Sequence, residues 1–284
     1  MYTVKQVSSL TGVSEATLRV WERRYKVVEP SRSSSGYRQY DDEQVAVLRA
    51  MVALVSSGVP ASTAAETVRT SGTGGPDRTL LPDLPTLVGA ATTADPRELD
   101  AVLDTAFSGD SFEAVVDAWL PLALRQLGEA WESGAISVAQ EHFASSAVLR
   151  HLSTQFERAD PGDGVPVLVG LAQGGRHELM LLAFAICLRR RGVNAIYLGA
   201  DVPVEDWEGM ALLAGARAAV IGVHLKDDVQ PAQSVVDRLS SLRPPVAVRV
   251  GGSLRHEVHR ANPLEDAVSE AAGALARELR AGAA

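Results

Sequence analysis

From Val165 to the C-terminus, short apolar runs alternate with amphipathic stretches, and this alternation restricts the fold more than any other feature of the chain. VPVLVGLA (165–172), AIYLGA (195–200), AAVIGV (218–223) and VAVRVGG (246–252) read as strands. Helices are expected over 176–191, ending at Gly192, and from Pro203, which suits a first helical turn. Further helices are expected over 231–242 and 270–281, with a short DAVS strand before the last. Apolar strands joined through helices form a parallel sheet covered on both faces. Such sheets bind ligands beyond the C-terminal strand ends. The loops to watch are therefore 173–177, 199–203, 224–230 and 251–256.

Upstream, residues 83–158 carry helical periodicity with no convincing strand, and Pro161-Gly162-Asp163-Gly164 marks the next boundary. Residues 71–82, SGTGGPDRTLLP, read as a linker. Residues 1–70 read as short amphipathic helices around a polar loop. Val4 to Leu10 can form one helix, and Ser14 can N-cap a second, SEATLRVWERRY, with Thr17 at N3. Val13, Leu18 and Trp21 are spaced to pack on the first helix. EPSRSSSGYRQY (29–40) reads as a β-wing carrying Arg32 and Arg38, and Asp41 or Asp42 opens a third helix.

Charge is unevenly placed. Residues 1–40 hold seven Lys and Arg against three Glu, a net +4, so with −8 overall the remainder carries −12. A basic head on an acidic body suggests that only the head meets phosphate. The single cysteine, Cys187, sits in an apolar run and reads as a buried structural thiol, which excludes an internal disulfide or a cysteine metal cluster. The run Leu179–Leu188 is too short to span a bilayer, and the N-terminus shows no signal-peptide pattern, so a cytoplasmic protein without membrane partners is expected.

The first domain resembles the MerR family. Thr17-Leu18-Arg19, Trp21-Glu22-Arg23, Pro30 and Gly36-Tyr37-Arg38-Gln39-Tyr40 carry the resemblance, in the family's order. It implies a winged helix-turn-helix with a recognition helix in the major groove of double-stranded operator DNA and a wing along the backbone. Thr17, Arg19, Arg23, Arg24, Arg32, Tyr37 and Arg38 suit phosphate or base-edge contacts. Trp21 and Tyr40 are expected in the core. The long dimerisation helix of classical members is not evident, since 71–82 would break it.

Two motifs mark the remainder. Nine residues separate Trp131 from Glu141-His142 in AWESGAISVAQEHFASS, and Gly174-Gly175-Arg176-His177-Glu178 follows the first strand. Together they resemble the cobalamin-binding module of CarH-type light-responsive repressors, over essentially all of 83–284. The resemblance implies a four-helix-bundle cap (83–160) over a Rossmann-like domain (161–284), with the corrin between them. Trp131 would cover its upper face, with Glu141 and His142 near the upper ligand. His177 would coordinate cobalt from below. Gly251-Gly252 and Leu198 to Pro203, LGADVP, also match, and glycines permit a ligand tail to pass close to the backbone.

Three positions depart from that pattern. Gly175 stands where the family has an acid, Met180 where it has Gly, and His224 where a small hydroxyl residue is expected. His224 reads equally as a new ligand contact, a filler of the tail channel or an ordinary loop residue. His256 and His259 are spaced i, i+3, without a third metal ligand. Lys226-Asp227-Asp228 reads as a solvated turn, and Trp119 and Trp207 as packing residues.

The fold class is thus α and α/β multidomain: winged helix-turn-helix, helical bundle and doubly wound parallel sheet. The expected function is a DNA-binding regulator, a repressor rather than an enzyme. Adenosylcobalamin, with possible light sensing, would set its self-association into dimer or tetramer. The alternative is the same regulator with another ligand, such as a different tetrapyrrole, or with none.

Overall fold

The computed structural model describes residues 2–11, 13–28, 30–32, 38–41, positions within 44–68, and 84–281. Gly36, Tyr37 and the expected linker 71–82 lie outside the described residues. Two compact units form, Met1–Arg78 and Thr79–Ala284.

In the first unit, β1 (Tyr2–Thr3), β2 (Ser31–Arg32) and β3 (Arg38–Tyr40) make an antiparallel sheet in the order β1-β3-β2. The wing is the β2–β3 pair, with Arg32 opposite Arg38. Helix α1 is Val4–Thr11, and α2 is Glu15–Val20, which runs on into a π-turn at Trp21–Tyr25. Ser14 caps α2 as the sequence indicates, its Oγ accepting the Thr17 N–H at 3.1 Å. Leu18, Trp21 and Tyr40 are buried together with Val7, Leu48 and Met51. Asp41 and Gln44 exchange side-chain-to-backbone bonds of 2.8 and 3.3 Å, a reciprocal cap that opens the next helical turn.

The second unit begins with four helices. These are α3 (Leu84–Thr93), α4 (Pro96–Gly109), a long helix formed by α5 (Phe112–Ala114), a π-turn at Val115–Trp119 and α6 (Leu120–Glu132), and α7 (Val138–Arg158). Ser137 and Gln140 make a capping box that starts α7. A five-stranded sheet follows: β4 (Val167–Ala172), β5 (Ala195–Val202), β6 (Ala218–Gly222), β7 (Ala247–Gly251) and β8 (Asn262–Pro263). All its pairs are parallel and its order is β5-β4-β6-β7-β8. The intervening helices are α8 (Leu179–Arg189), α9 (Val204–Ala214), α10 (Lys226–Ser241) and α11 (Val268–Ala281). Helices α8 and α11 share one core with the four N-terminal helices, and α9 and α10 pack in a second core with the sheet's other side. Trp119 and Trp207 are packing residues, 3% and 0% exposed. Cys187 is fully buried, and burial pushes its thiol up to about 12.

Three element boundaries differ from the sequence expectation. Helix α8 starts at Leu179 rather than 176, because the preceding loop is tied to β5: Asp201 accepts the Gly174 N–H at 2.7 Å and its own N–H donates to the Gly175 carbonyl. Helix α10 starts at Lys226 rather than 231, because the Asp228 carboxylate accepts the His224 and Leu225 N–H groups at 3.0 and 2.8 Å. The 226–228 segment is therefore the first helical turn rather than a loop; Lys226 and Asp227 are exposed as expected, but Asp228 is only 8% exposed. The DAVS segment is not a strand; α11 begins within it at Val268, and the last strand is Asn262–Pro263. The Asp117 carboxylate from the long helix accepts the Ser269 N–H at 2.9 Å and its hydroxyl, which fixes the helix start there.

Candidate functional site

Strand order places the site. The chain runs from β4 to β5 on one side, then crosses back to β6 on the other. Ligands bind at such a switch point, outside the C-terminal ends of the two central strands. His177 lies in the loop after β4 and His224 just beyond β6, so the two flank the switch crevice. Their ring centroids are 5.9 Å apart, with planes inclined by 44°. His177 is exposed, whereas His224 is half-buried. Burial, and then the nearness of His177, lower the His224 pKa against the opposing pull of Asp228.

Beside this pair lies a cavity of about 280 Å³. The long helix contributes Val116, Asp117 and Pro121, and the strand ends contribute Gly222, His224, Gly251 and Gly252. Met180 also lines it. The structure therefore brings Met180, His224, Gly251 and Gly252 together, with His177 next to them. The two glycines differ in their cause. Gly252 has φ +99°, and a Cβ there would lie 2.2 Å from the Val223 carbonyl oxygen, so the fold itself demands glycine. A Cβ at Gly251 would meet nothing nearer than Leu264 Cδ1, at 3.5 Å.

Trp131, Glu141 and His142, singled out by the resemblance, sit on the helices. Trp131 closes the long helix and is 46% exposed, an apolar face open to a flat partner. Glu141 and His142 lie in the first turn of α7. Glu141 Oε2 bonds His142 Nδ1 at 2.6 Å, and Glu141 Oε1 accepts the Ser145 hydroxyl at 2.6 Å. The His142 side chain is 74% exposed and held by its neighbour through Nδ1. This set fits a corrinoid: an exposed indole, a carboxylate-fixed imidazole, and an accessible imidazole at the strand rim.

Sequence reasoning missed two residues here. Arg255 lines the cavity and binds the Gly252 carbonyl (3.1 Å) and Asp266 (2.5 Å), but its buried Nε has no partner. Asp117 both lines the cavity and caps α11. Neither carries a local signal, because each partner is remote or depends on a turn. His256 and His259 gather no further ligands; among the described residues no group of three or more His, Cys, Asp or Glu is placed to hold a metal ion.

In the first unit, Arg19, Arg23 and Arg24 are exposed and Thr17 is half-buried. Arg19 pairs with Glu15 at 3.2 Å. Arg38 Nε bonds Glu22 at 2.8 Å, and the Tyr40 hydroxyl donates to the same carboxylate. Burial first, and then this bond, raise the Tyr40 pKa. Arg32 lies in β2, and Tyr37 is outside the described residues.

Comparison with known proteins agrees with these features. Residues 2–70 match the MerR HTH family regulatory protein, and residues 86–154 match a B12 binding domain. The chain is 32% identical over 254 residues to the HTH-type transcriptional repressor CarH of Myxococcus xanthus, covering 85% of this chain and 84% of that protein. It is 31% identical over 265 residues to the repressor CarA of the same organism, covering 89% and 88%. Its fold is similar to that of the Methanosarcina barkeri monomethylamine corrinoid protein (TM-score 0.54, 20% identity, 70% of this chain and 98% of that one). Among the described residues no helix is long and apolar enough to cross a membrane. With such identity over most of both proteins, joined to a MerR-type reading head, the chain belongs to the CarH/CarA family of HTH-type transcriptional repressors and is a regulator rather than an enzyme.

Proposed function

We propose that this repressor is controlled by a cobalamin, specifically adenosylcobalamin, bound where the helical cap meets the C-terminal rim of the sheet. The observation that carries the reading is the cavity shared by cap residues Val116, Asp117 and Pro121 and strand-end residues Gly222, His224 and Gly251, beside His177. The B12 binding domain match over 86–154 supports it. In this reading His177 is the lower cobalt ligand and Trp131 covers the upper face. Glu141 fixes His142 beside the upper ligand. Met180, Gly251 and Gly252 border the ligand's tail, and His224 stands beside His177. Adenosylcobalamin supplies a light-sensitive upper ligand.

Control of DNA binding then requires that ligand favour one self-association state, dimer or tetramer, over another. Association would hold several reading heads on adjacent half-sites. Thr17, Arg19, Arg23 and Arg24 are assigned to the major groove and its phosphates, and Arg32, Tyr37 and Arg38 to the backbone beside the wing. The test is an absorbance spectrum of the purified chain after incubation with adenosylcobalamin, in dark and light, together with operator binding. A corrin spectrum with light-dependent loss of operator retention is expected. A protein that stays colourless after saturation excludes the reading.

A second reading rests on Met180 and His224, which both line the cavity. Their bulk favours a flat ligand with a smaller tail, such as another tetrapyrrole. Native mass spectrometry of protein from its own host separates the two, since retention of corrinoid alone excludes the second.

A further inference from the structure

Among the described residues neither the His177 ring nor the His224 ring has a hydrogen-bond partner. A metal-binding imidazole ordinarily donates its second N–H to an oxygen or a water, which fixes its tautomer and orientation. The residue two before His177 cannot provide one. It is Gly175, buried, and a Cβ there would stand 3.0 Å from Leu171 Cβ and 3.1 Å from the Ala172 carbonyl oxygen. These neighbours are a side-chain root and a backbone atom, so neither gives way easily. The Glu178 carboxylate next to His177 already accepts the Tyr197 hydroxyl at 2.8 Å. Asp201 accepts the Gly174 N–H instead.

His224 is the imidazole beside His177, at the neighbouring strand end. Its backbone is fixed from two directions: its N–H donates to Asp228 at 3.0 Å, and its carbonyl accepts the Ser253 hydroxyl at 3.0 Å. The ring therefore projects from a rigid strand end, with its centroid 5.9 Å from that of His177. A neutral imidazole has a donor on one nitrogen and an acceptor on the other, so facing imidazoles complement each other directly or through one water. We propose that His224 is the positioning residue for His177, holding its ring by a direct or single-water hydrogen bond so that the other ring nitrogen is presented to the ligand. The inference rests on the cobalamin reading above, in which His177 binds cobalt. It assigns His224 a function carried out through His177, not direct ligation.

Hydroxocobalamin is the probe, titrated into the full-length chain and read by absorbance. The proteins are wild type, His224→Ala, His224→Gln, His177→Ala and the double variant His177→Ala/His224→Ala. His224→Ala is expected to weaken binding by roughly 10- to 100-fold, the usual effect of losing an imidazole's outer partner. It should shift the spectrum away from the imidazole-bound form while leaving the thermal midpoint of the bare protein unchanged. His224→Gln, which retains an acceptor, should recover most of the affinity. In the double variant the His224 substitution should add nothing, because its effect passes through His177. Unchanged affinity in His224→Ala overturns the inference, as does a full additional loss in the double variant. Loss of binding in His224→Ala with none in His177→Ala makes His224 the ligand itself and also overturns it. Failure of wild type to take up corrinoid removes the cobalamin reading and this inference together, whereas a silent His224→Ala beside a weakened His177→Ala removes this inference alone.

Discussion

Arg38 Nε stands 2.8 Å from Glu22 Oε2, so the wing strand β3 is fastened to the π-turn that ends the reading helix. The Glu22 side chain is only 9% exposed, and the Tyr40 hydroxyl reaches the same carboxylate. A carboxylate so placed ties the wing strand to the helix end and restrains the angle between them.

The pairing separates Arg38 from Arg23, which is exposed and forms no ion pair among the described residues. Removing a cation that neutralises a phosphate lowers the salt slope of DNA binding by about one. Arg23→Gln is expected to do so. Arg38→Gln is expected to weaken operator binding with a clearly smaller change in slope, because Glu22 already offsets its charge. Operator affinity measured over a series of salt concentrations decides. Equal slope changes in the two variants would show Arg38 to be an ordinary phosphate contact.

Acid should loosen the joint between cap and sheet. Glu113 of α5 accepts bonds from Arg190 at 2.9 and 3.3 Å, and Arg191 approaches to 3.5 Å. Burial alone would raise the Glu113 pKa, but the Arg190 bond, its own backbone N–H and the two guanidinium charges outweigh it and leave the pKa below the usual glutamate value. A depressed folded pKa adds stability above the unfolded value, and that stability is lost as pH falls through the folded one. Glu113→Gln should therefore cost about 1–2 kcal/mol at neutral pH, between an exposed ion pair and a buried charged hydrogen bond. The gap in thermal midpoint should close below about pH 4. A gap independent of pH would refute the assignment.

Helix α11 depends on a cap supplied from another part of the fold. Asp117→Ala removes the acceptor of the Ser269 N–H and should cost about 1 kcal/mol, within the range for N-cap loss. Faster amide exchange at the start of α11 is the local signature. If exchange there is unaltered, the bond does not hold the helix end.

The paired glycines of the cavity should respond oppositely. Gly252→Ala forces a Cβ to 2.2 Å from the Val223 carbonyl at φ +99° and should destabilise by more than about 2 kcal/mol. Gly251→Ala meets only an ordinary contact with Leu264 Cδ1, so the bare protein should melt near the wild-type temperature. Thermal melts of both variants test the contrast, and similar destabilisation would mean that the turn is not held as described.

His177→Ala should weaken corrinoid retention and leave the fold of the bare protein intact, because His177 is an exposed loop residue whose ring makes no hydrogen bond among the described residues. Circular dichroism with a cobalamin titration checks both parts. An unfolded variant would instead make His177 a structural residue.

Much of the architecture is written locally. Ser14 and Thr17 announce the second helix, Trp21 and Tyr40 the core of the first unit, and the runs at 165, 195, 218 and 246 the strands. Caps and periodicity act over a few residues, so they can be read without knowing the fold. The boundaries that could not be read are those set from a distance: Asp201 delaying α8, and Asp117 starting α11 across 152 residues.

The sequence by itself determined the kinds of element, their order, the residue types able to read DNA and the imidazoles able to meet a ligand. Only the tertiary structure decided that His177 and His224 face each other, that Asp228 is buried as a cap, and that Arg38 is tied to Glu22. The reason is strand order: β5-β4-β6 sets the ends of β4 and β6 side by side, and no periodicity in the chain encodes which strand returns beside which.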